Sequence, residues 1–209
     1  MVRPRAFDEA AVMDSAIRCF WKSGFAATSV RDLEAETGLK MASLYNAFGD
    51  KRSMFRLSLE RYVGAHVDDR IRRLESGLSG KARIHAFIRE VIDRSLSDPE
   101  RKGCLLINSA VEVAPHDPAL AAFIADCLAD IQGFFRRALD WAARDGEIPP
   151  TVCPEDTAKA LMALVFGLRV LARACPERTL LEGAARPLLA LLDEGTASTA
   201  PPLPAGPAT

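Results

Sequence analysis

The sequence predicts an all-α protein of about nine helices, in which a small N-terminal three-helix unit precedes a larger helical one. Three observations predict this. Apolar residues recur at helical spacing almost throughout the 209 residues. No run alternates apolar and polar positions as a half-buried strand would. Residues 28–51, TSVRDLEAETGLKMASLYNAFGDK, read as two short helices around a Gly-marked turn.

The first helix is predicted over residues 7–23, with Ala10, Met13, Ile17, Phe20 and Trp21 on one side. Asp8 and Glu9 lie near its positive N-terminal end, and Gly24 stops it. Ser29 is placed to cap the second helix, with Asp32 reaching back to the free amides, and Val30 and Leu33 form its apolar stripe. Gly38 stands where a helix end wants a residue tolerant of the left-handed conformation. A third helix follows over residues 40–48 with Leu44 and Phe48 inward. A short helix after a Gly turn is the arrangement that enters a DNA major groove, so residues 1–50 are expected to form a helix-turn-helix DNA-binding domain. Asp50 caps a long connecting helix over residues 51–76, with Phe55, Leu59, Tyr62 and Val63 on its apolar face.

Beyond the SGLSG break at residues 76–80, a helix over residues 81–97 carries Ile84, Phe87, Ile88 and Val91, and Asp98-Pro99 ends it. Core helices are predicted over 103–113 and 118–144, and a last pair over 154–174 and 177–192. Residues 195–209, GTASTAPPLPAGPAT, are small, Pro-rich and uncharged, and are expected to be a disordered tail.

Apolar residues make up 49% and charged residues 26%, as in soluble globular proteins. No apolar run reaches a membrane span and the N-terminus lacks a signal-peptide core, so the expected compartment is the cytoplasm, with no membrane partner. The five cysteines show neither a disulfide framework nor a CxxC pair, so reduced thiols and no metal are expected. The net charge of −1 divides unevenly: residues 1–56 carry +2, residues 57–103 carry +2 and residues 104–209 carry −5. That asymmetry permits a DNA contact at the N-terminal pole but does not establish one.

The order of elements, with Phe20, Gly24-Phe25, Thr28-Ser29-Val30, Thr37-Gly38-Leu39 and the run Leu44-Tyr45-x-x-Phe48-x-x-Lys51, resembles the TetR family of transcriptional repressors. Arg3-Pro4-Arg5 is similar to the basic arm many members place before the first helix. The resemblance implies a homodimer whose recognition helices enter successive major grooves of a pseudo-palindromic double-stranded operator, with residues 51–194 as an effector-binding and dimerisation domain. It implies a regulator released by a small-molecule or electrophilic effector, and no cofactor.

The chemistry of the third helix suits base reading by Lys40, Met41, Ser43 and Asn46, although the same face would also suit plain solvation. Tyr45 and Lys51, with Thr28 and Ser29, match family positions that grip phosphate, and Arg3 and Arg5 are candidates for the backbone or minor groove. Glu34 departs from the Ala often found four residues before the turn Gly, implying an altered crossing or an added polar contact.

Arg101-Lys102-Gly103-Cys104-Leu105 resembles the Gly-Cys-Leu segment of a subgroup that includes regulators of responses to electrophiles and unsaturated acids, in some of which the matching Cys senses electrophiles or redox state. Two neighbouring cations and a helix N-terminus would favour the Cys104 thiolate, while a free Cys before three apolar residues is equally at home in a core. A non-covalent effector would need an apolar cavity, for which Phe87, Phe123, Phe134, Phe135 and Trp141 are candidates, each of which could instead be core. Surplus apolar surface on the last two helices marks a dimer interface: Ala163, Leu164, Gly167, Leu168, Leu171, Leu181 and Leu188. The competing reading is a helical enzyme or an adaptor that kept the fold without specific DNA binding. No HExxH, GxSxG or phosphate loop supports an enzyme, and His66, His85 and His116 lack metal-ligand spacing.

Overall fold

The computed structural model describes residues 7–193, and the described residues contain helices and no strand. The expected tail at 195–209 and the candidate arm with Arg3 and Arg5 lie outside the described residues.

Helix α1 (Glu9–Ala27) starts at Asp8, whose carboxylate accepts from the amides of Ala10 and Ala11 at 2.9 and 3.4 Å. The predicted stop at Gly24 is a kink instead: Gly24 takes φ 81° and ψ 175°, and one further turn follows it. Helix α2 (Val30–Thr37) carries the expected reciprocal cap, with Asp32 N donating to Ser29 Oγ at 3.2 Å and Ser29 N donating to Asp32 Oδ2 at 2.7 Å. Gly38 is left-handed at φ 71° and donates to Glu34 O at 2.9 Å. Helix α3 (Met41–Phe48) follows, with Lys40 extended before it.

Helix α4 (Lys51–Val63), capped by Asp50, runs through a π-helical turn at Gly64–Asp68 into α5 (Asp69–Glu75) as one rod. The residues flanking the turn keep helical backbone angles, so the predicted connecting helix has the expected extent and one inserted residue per turn at its middle. Helices α6 (Gly80–Leu96), α7 (Leu105–Glu112), α8 (Pro118–Arg144), α9 (Pro154–Ala174) and α10 (Arg178–Asp193) complete the chain, with a 3₁₀ turn at Ala114–His116. Counting the rod once, nine helices stand among the described residues.

Helix α1 packs on α2 and α4, while α6, α8 and α9 pack together and α10 closes against α6 and α9. Phe20 and Phe55 meet edge-on at 5.1 Å in the first layer, and Phe87, Phe134 and Phe135 form a triangle with 4.9–5.4 Å between rings in the second. Helix α7 is the bridge, touching α1, α4 and α8. By length and composition α8 would suffice to cross a membrane, although its inward face, including Leu120, Ile124, Ile131, Phe135 and Leu139, is buried in this core.

Candidate nucleic-acid interface and cavity

Helix α3 stands on two anchors, Leu44 and Phe48, which are buried against the core of the N-terminal unit. Burying those two positions turns Lys40, Met41, Ser43 and Asn46 outward, and all four are exposed, with Tyr45 half-buried beside them. The helix start is held from outside: Met41 N donates to Glu34 Oε1 at 2.7 Å, where Lys40 offers no cap of its own. The unusual Glu34 is therefore an added polar contact, supplying from α2 the acceptor that the first turn of α3 lacks.

Two of the expected phosphate contacts are already engaged within the chain. Thr28 is fully buried and its hydroxyl donates to Gly24 O at 2.6 Å, so this side chain holds the Gly24 kink and does not face solvent. The Lys51 ammonium lies 3.5 Å from Ala26 O and 4.6 Å from the Phe25 ring. Ser29 is exposed at the N-terminus of α2.

The N-terminal unit is clamped from α7. Glu112 accepts from Phe25 N at 3.1 Å and from Ala26 N at 2.7 Å, the amides freed by the kink at Gly24. Arg52, in the first turn of α4, also pairs with Asp117 at the start of α8, which holds the Asp117 carboxyl down at about 2. Neither clamp was legible in the sequence, because each joins residues more than 60 positions apart.

Behind this junction lies a cavity of about 330 Å³, within the range of small-molecule sites. Its wall includes Trp21 from α1, Tyr62, His66 and Arg70 from the rod, Phe87 and Arg94 from α6, Cys104 and Leu106 from the α7 region, and Arg169 from α9. Of the expected lining residues, Phe87 and Cys104 are on this wall. Phe123 and Trp141 are not: Phe123 packs against the core, and Trp141 is an exposed ring stacked under Arg83 at 3.9 Å. Phe134 and Phe135 fill the core behind Phe87.

Cys104 stands at the N-cap position of α7 without a capping side-chain bond and is buried, and its sulfur lies 3.7 Å from Tyr62 Oη. The two cations expected to favour its thiolate are directed elsewhere. The Lys102 ammonium pairs with Asp98 and Glu100, and Arg101 is exposed, with its carbonyl accepting from Arg173 Nε. Burial pushes the Tyr62 phenol well above its usual range. Burial, with Arg94, Arg70 and Arg169 nearby, pulls the His66 imidazole below its usual value, and burial also lowers Arg70 to about 10.

Helices α9 and α10 also expose apolar side chains. Ala163, Gly167, Val170 and Leu171 are exposed on α9, with Leu180 and Leu191 on α10, and Leu164 and Leu188 are half-buried beside them. Leu168 and Leu181, expected on the same face, are fully buried in the subunit's own core and are unavailable to a partner.

A capped helix-turn-helix with its second helix presented outward from a helical body defines a class of DNA-binding transcription regulators. The chain belongs to the TetR family: residues 12–57 match the family model for bacterial regulatory proteins of the tetR family, and residues 80–188 match the tetracyclin repressor-like C-terminal domain. It is 36% identical over 149 residues to the uncharacterized HTH-type transcriptional regulator YezE of Bacillus subtilis strain 168, covering 71% of this chain and 76% of YezE. It is 28% identical over 172 residues to the HTH-type transcriptional repressor ComR of Escherichia coli strain K12, covering 82% of each. Among solved structures, a cysteine mutant of the TetR family transcriptional regulator CifR in complex with 26-base-pair operator DNA superposes with a TM-score of 0.80 at 28% identity, covering 90% of this chain and 98% of that one. The protein is thus a transcriptional regulator rather than an enzyme.

Proposed function

We propose that the protein is a dimeric, cytoplasmic repressor that binds a pseudo-palindromic operator through α3 and leaves it when a small molecule occupies the cavity. One observation carries the reading: the cavity wall is shared between Trp21 of the DNA-binding unit, the rod that leads out of it, and the segment around α7, whose far end grips Phe25 and Ala26. A ligand that favours one arrangement of that wall therefore favours one spacing of the recognition helices. Residues 7–50 serve as the DNA-binding unit and residues 51–193 as the effector and dimer unit.

In this reading Lys40, Met41, Ser43 and Asn46 meet base edges, Tyr45 and Ser29 meet phosphate, and Lys51 reaches phosphate by releasing Ala26 O. The exposed faces of α9 and α10 pair with their copies, with Ala163 and Gly167 allowing close approach. Cys104 can react with an electrophile only from inside the cavity; equal operator release by wild type and Cys104→Ser would remove a thiol mechanism.

Fluorescence anisotropy with the promoter region of its own gene tests the core of the proposal. Binding is expected to be sequence-specific and to withstand salt that removes random-sequence binding, and Asn46→Ala is expected to erode the difference. Sequence-blind binding lost at moderate salt would support the adaptor alternative. Sedimentation of Leu171→Glu is expected to shift the protein from dimer to monomer.

A further inference from the structure

The cavity wall carries more positive charge than its surroundings neutralise. Arg70 and Arg169 are 6% and 8% exposed, and Arg94 stands at the cavity rim. Lys102 and Asp98, also on the wall, satisfy one another at 3.2 Å, which leaves the three guanidinium groups. The carboxylate at Arg70 is Glu90, whose Oε2 lies 3.3 Å from Nε but out of line for a hydrogen bond, so that this buried N–H has no hydrogen-bond acceptor. Glu90 is also committed to Arg73, which donates to both its oxygens at 2.8 Å. The bond made by the Arg169 guanidinium goes to the neutral Ser95 hydroxyl at 3.2 Å.

Burying guanidinium groups in like-charged company without a full counter-charge is costly, and folded proteins keep such groups chiefly where a partner will supply the charge. A second orphan lies on the same wall: Trp21 Nε1 is buried with no acceptor. The rest of the wall sets apolar side chains, Trp21, Val67, Phe87, Leu106, Ile131 and Val165 among them, beside Tyr62, His66 and Ser97. A cation would be repelled here, and an inorganic anion would leave the apolar wall unused.

We propose that this cavity receives a small organic carboxylate, whose oxygens take hydrogen bonds from Arg70 and Arg169 and whose apolar body lies against Trp21, Phe87 and Leu106. The planar guanidinium fork matches a carboxylate, and Arg70 Nε and Trp21 Nε1 are donors that no acceptor of the protein meets. This rests on reading the cavity as the effector site, and names the chemical class of the effector. Because Arg70 lies two residues past the π-helical turn and Trp21 belongs to α1, the charge and the body of the ligand address the rod and the DNA-binding unit separately.

The test uses full-length protein carrying Trp141→Phe, so that Trp21 is the fluorescent reporter, titrated with octanoate, benzoate, their primary amides and inorganic phosphate. Saturable change is expected with at least one carboxylate, about tenfold or more weaker with the matching amide, and weaker again with phosphate. Arg169→Met is expected to lose carboxylate binding by a similar factor while raising the melting temperature of the ligand-free protein, whereas a merely structural arginine would lower it. Equal binding of acid and amide, binding by neither carboxylate, or unchanged binding in Arg169→Met would each overturn the proposal. Operator release is read separately. Carboxylate binding without release would remove the effector reading and keep the anion site, whereas release by an amide that competes at Trp21 would keep the effector cavity and overturn the carboxylate.

Discussion

Glu112, the last residue of α7, lies with one carboxylate oxygen 3.1 Å from Phe25 N, immediately after the kink at Gly24. Its other oxygen takes Ala26 N at 2.7 Å, so one side chain satisfies two amides that the kink leaves without helical partners. A Cβ on Gly24 would lie 2.6 Å from this carboxylate, and the Gly24 φ of 81° already excludes most residues. Glu112→Ala is expected to destabilise the protein by about 2 kcal/mol, the typical worth of hydrogen bonds to a charged group. Urea denaturation measures this. Operator affinity should fall with it, because the last turn of α1 sets the position of α2. Unchanged stability would show that solvent replaces the clamp without loss.

Glu34 is expected to matter through α3 rather than through DNA. Removing the acceptor at Met41 N in Glu34→Ala leaves the first turn of α3 uncapped, at about 1 kcal/mol for a lost N-cap. Operator affinity measured by anisotropy should weaken, while the salt dependence of binding stays unchanged because no phosphate contact is lost. A flatter salt dependence would mean that Glu34 acts directly on the DNA electrostatics.

His66 gives the protein a pH dependence with a defined sign. Its ring packs 4.6 Å from Tyr62 and 5.8 Å from Trp21, and burial together with Arg94, Arg70 and Arg169 lowers its folded value below 6.5. Above 6.5 both folded and unfolded chains hold it neutral, and its contribution is complete. As pH falls below that point the unfolded chain takes up a proton that the folded chain resists, so stability declines until the folded value is passed. Urea midpoints between about pH 7.5 and 5.5 should therefore fall in the wild type and fall less in His66→Gln. Parallel slopes would assign the decline to other groups.

What the sequence made legible follows the reach of each interaction. The Ser29–Asp32 cap, the Gly38 turn and the ends of α8 and α9 depend on neighbours within a few residues, and the chain shows them as predicted. The Glu112 clamp and the cavity wall depend on the packing of separate helices, which periodicity does not encode. One signal was available. Arg169 falls four residues after Val165 and three before Ala172, on the buried stripe of α9, where a charged residue is out of place unless something answers it. The same limit explains Leu168 and Leu181. An apolar helix shows that surface is to be buried, but not whether its own subunit or a copy will bury it.

Two glycines separate those two kinds of burial. Gly80 starts α6 against the backbone of α8, where a Cβ would meet Ala138 O at 2.4 Å and Ala142 N at 2.5 Å. Replacing a helical Gly by Ala ordinarily gains about 1 kcal/mol, but backbone atoms cannot rotate away, so Gly80→Ala is expected to cost about 1–3 kcal/mol as α6 and α8 are forced apart. Gly167, by contrast, is exposed on α9 and a Cβ there meets nothing within 4 Å in the subunit. Gly167→Ala should therefore leave the fold of the single subunit intact or slightly stabilised. Any loss must come from the partner helix, and is expected as a weaker dimerisation constant in sedimentation with unchanged helicity. A Gly167→Ala protein that dimerises as tightly as wild type would place the close helix approach elsewhere on α9 and α10.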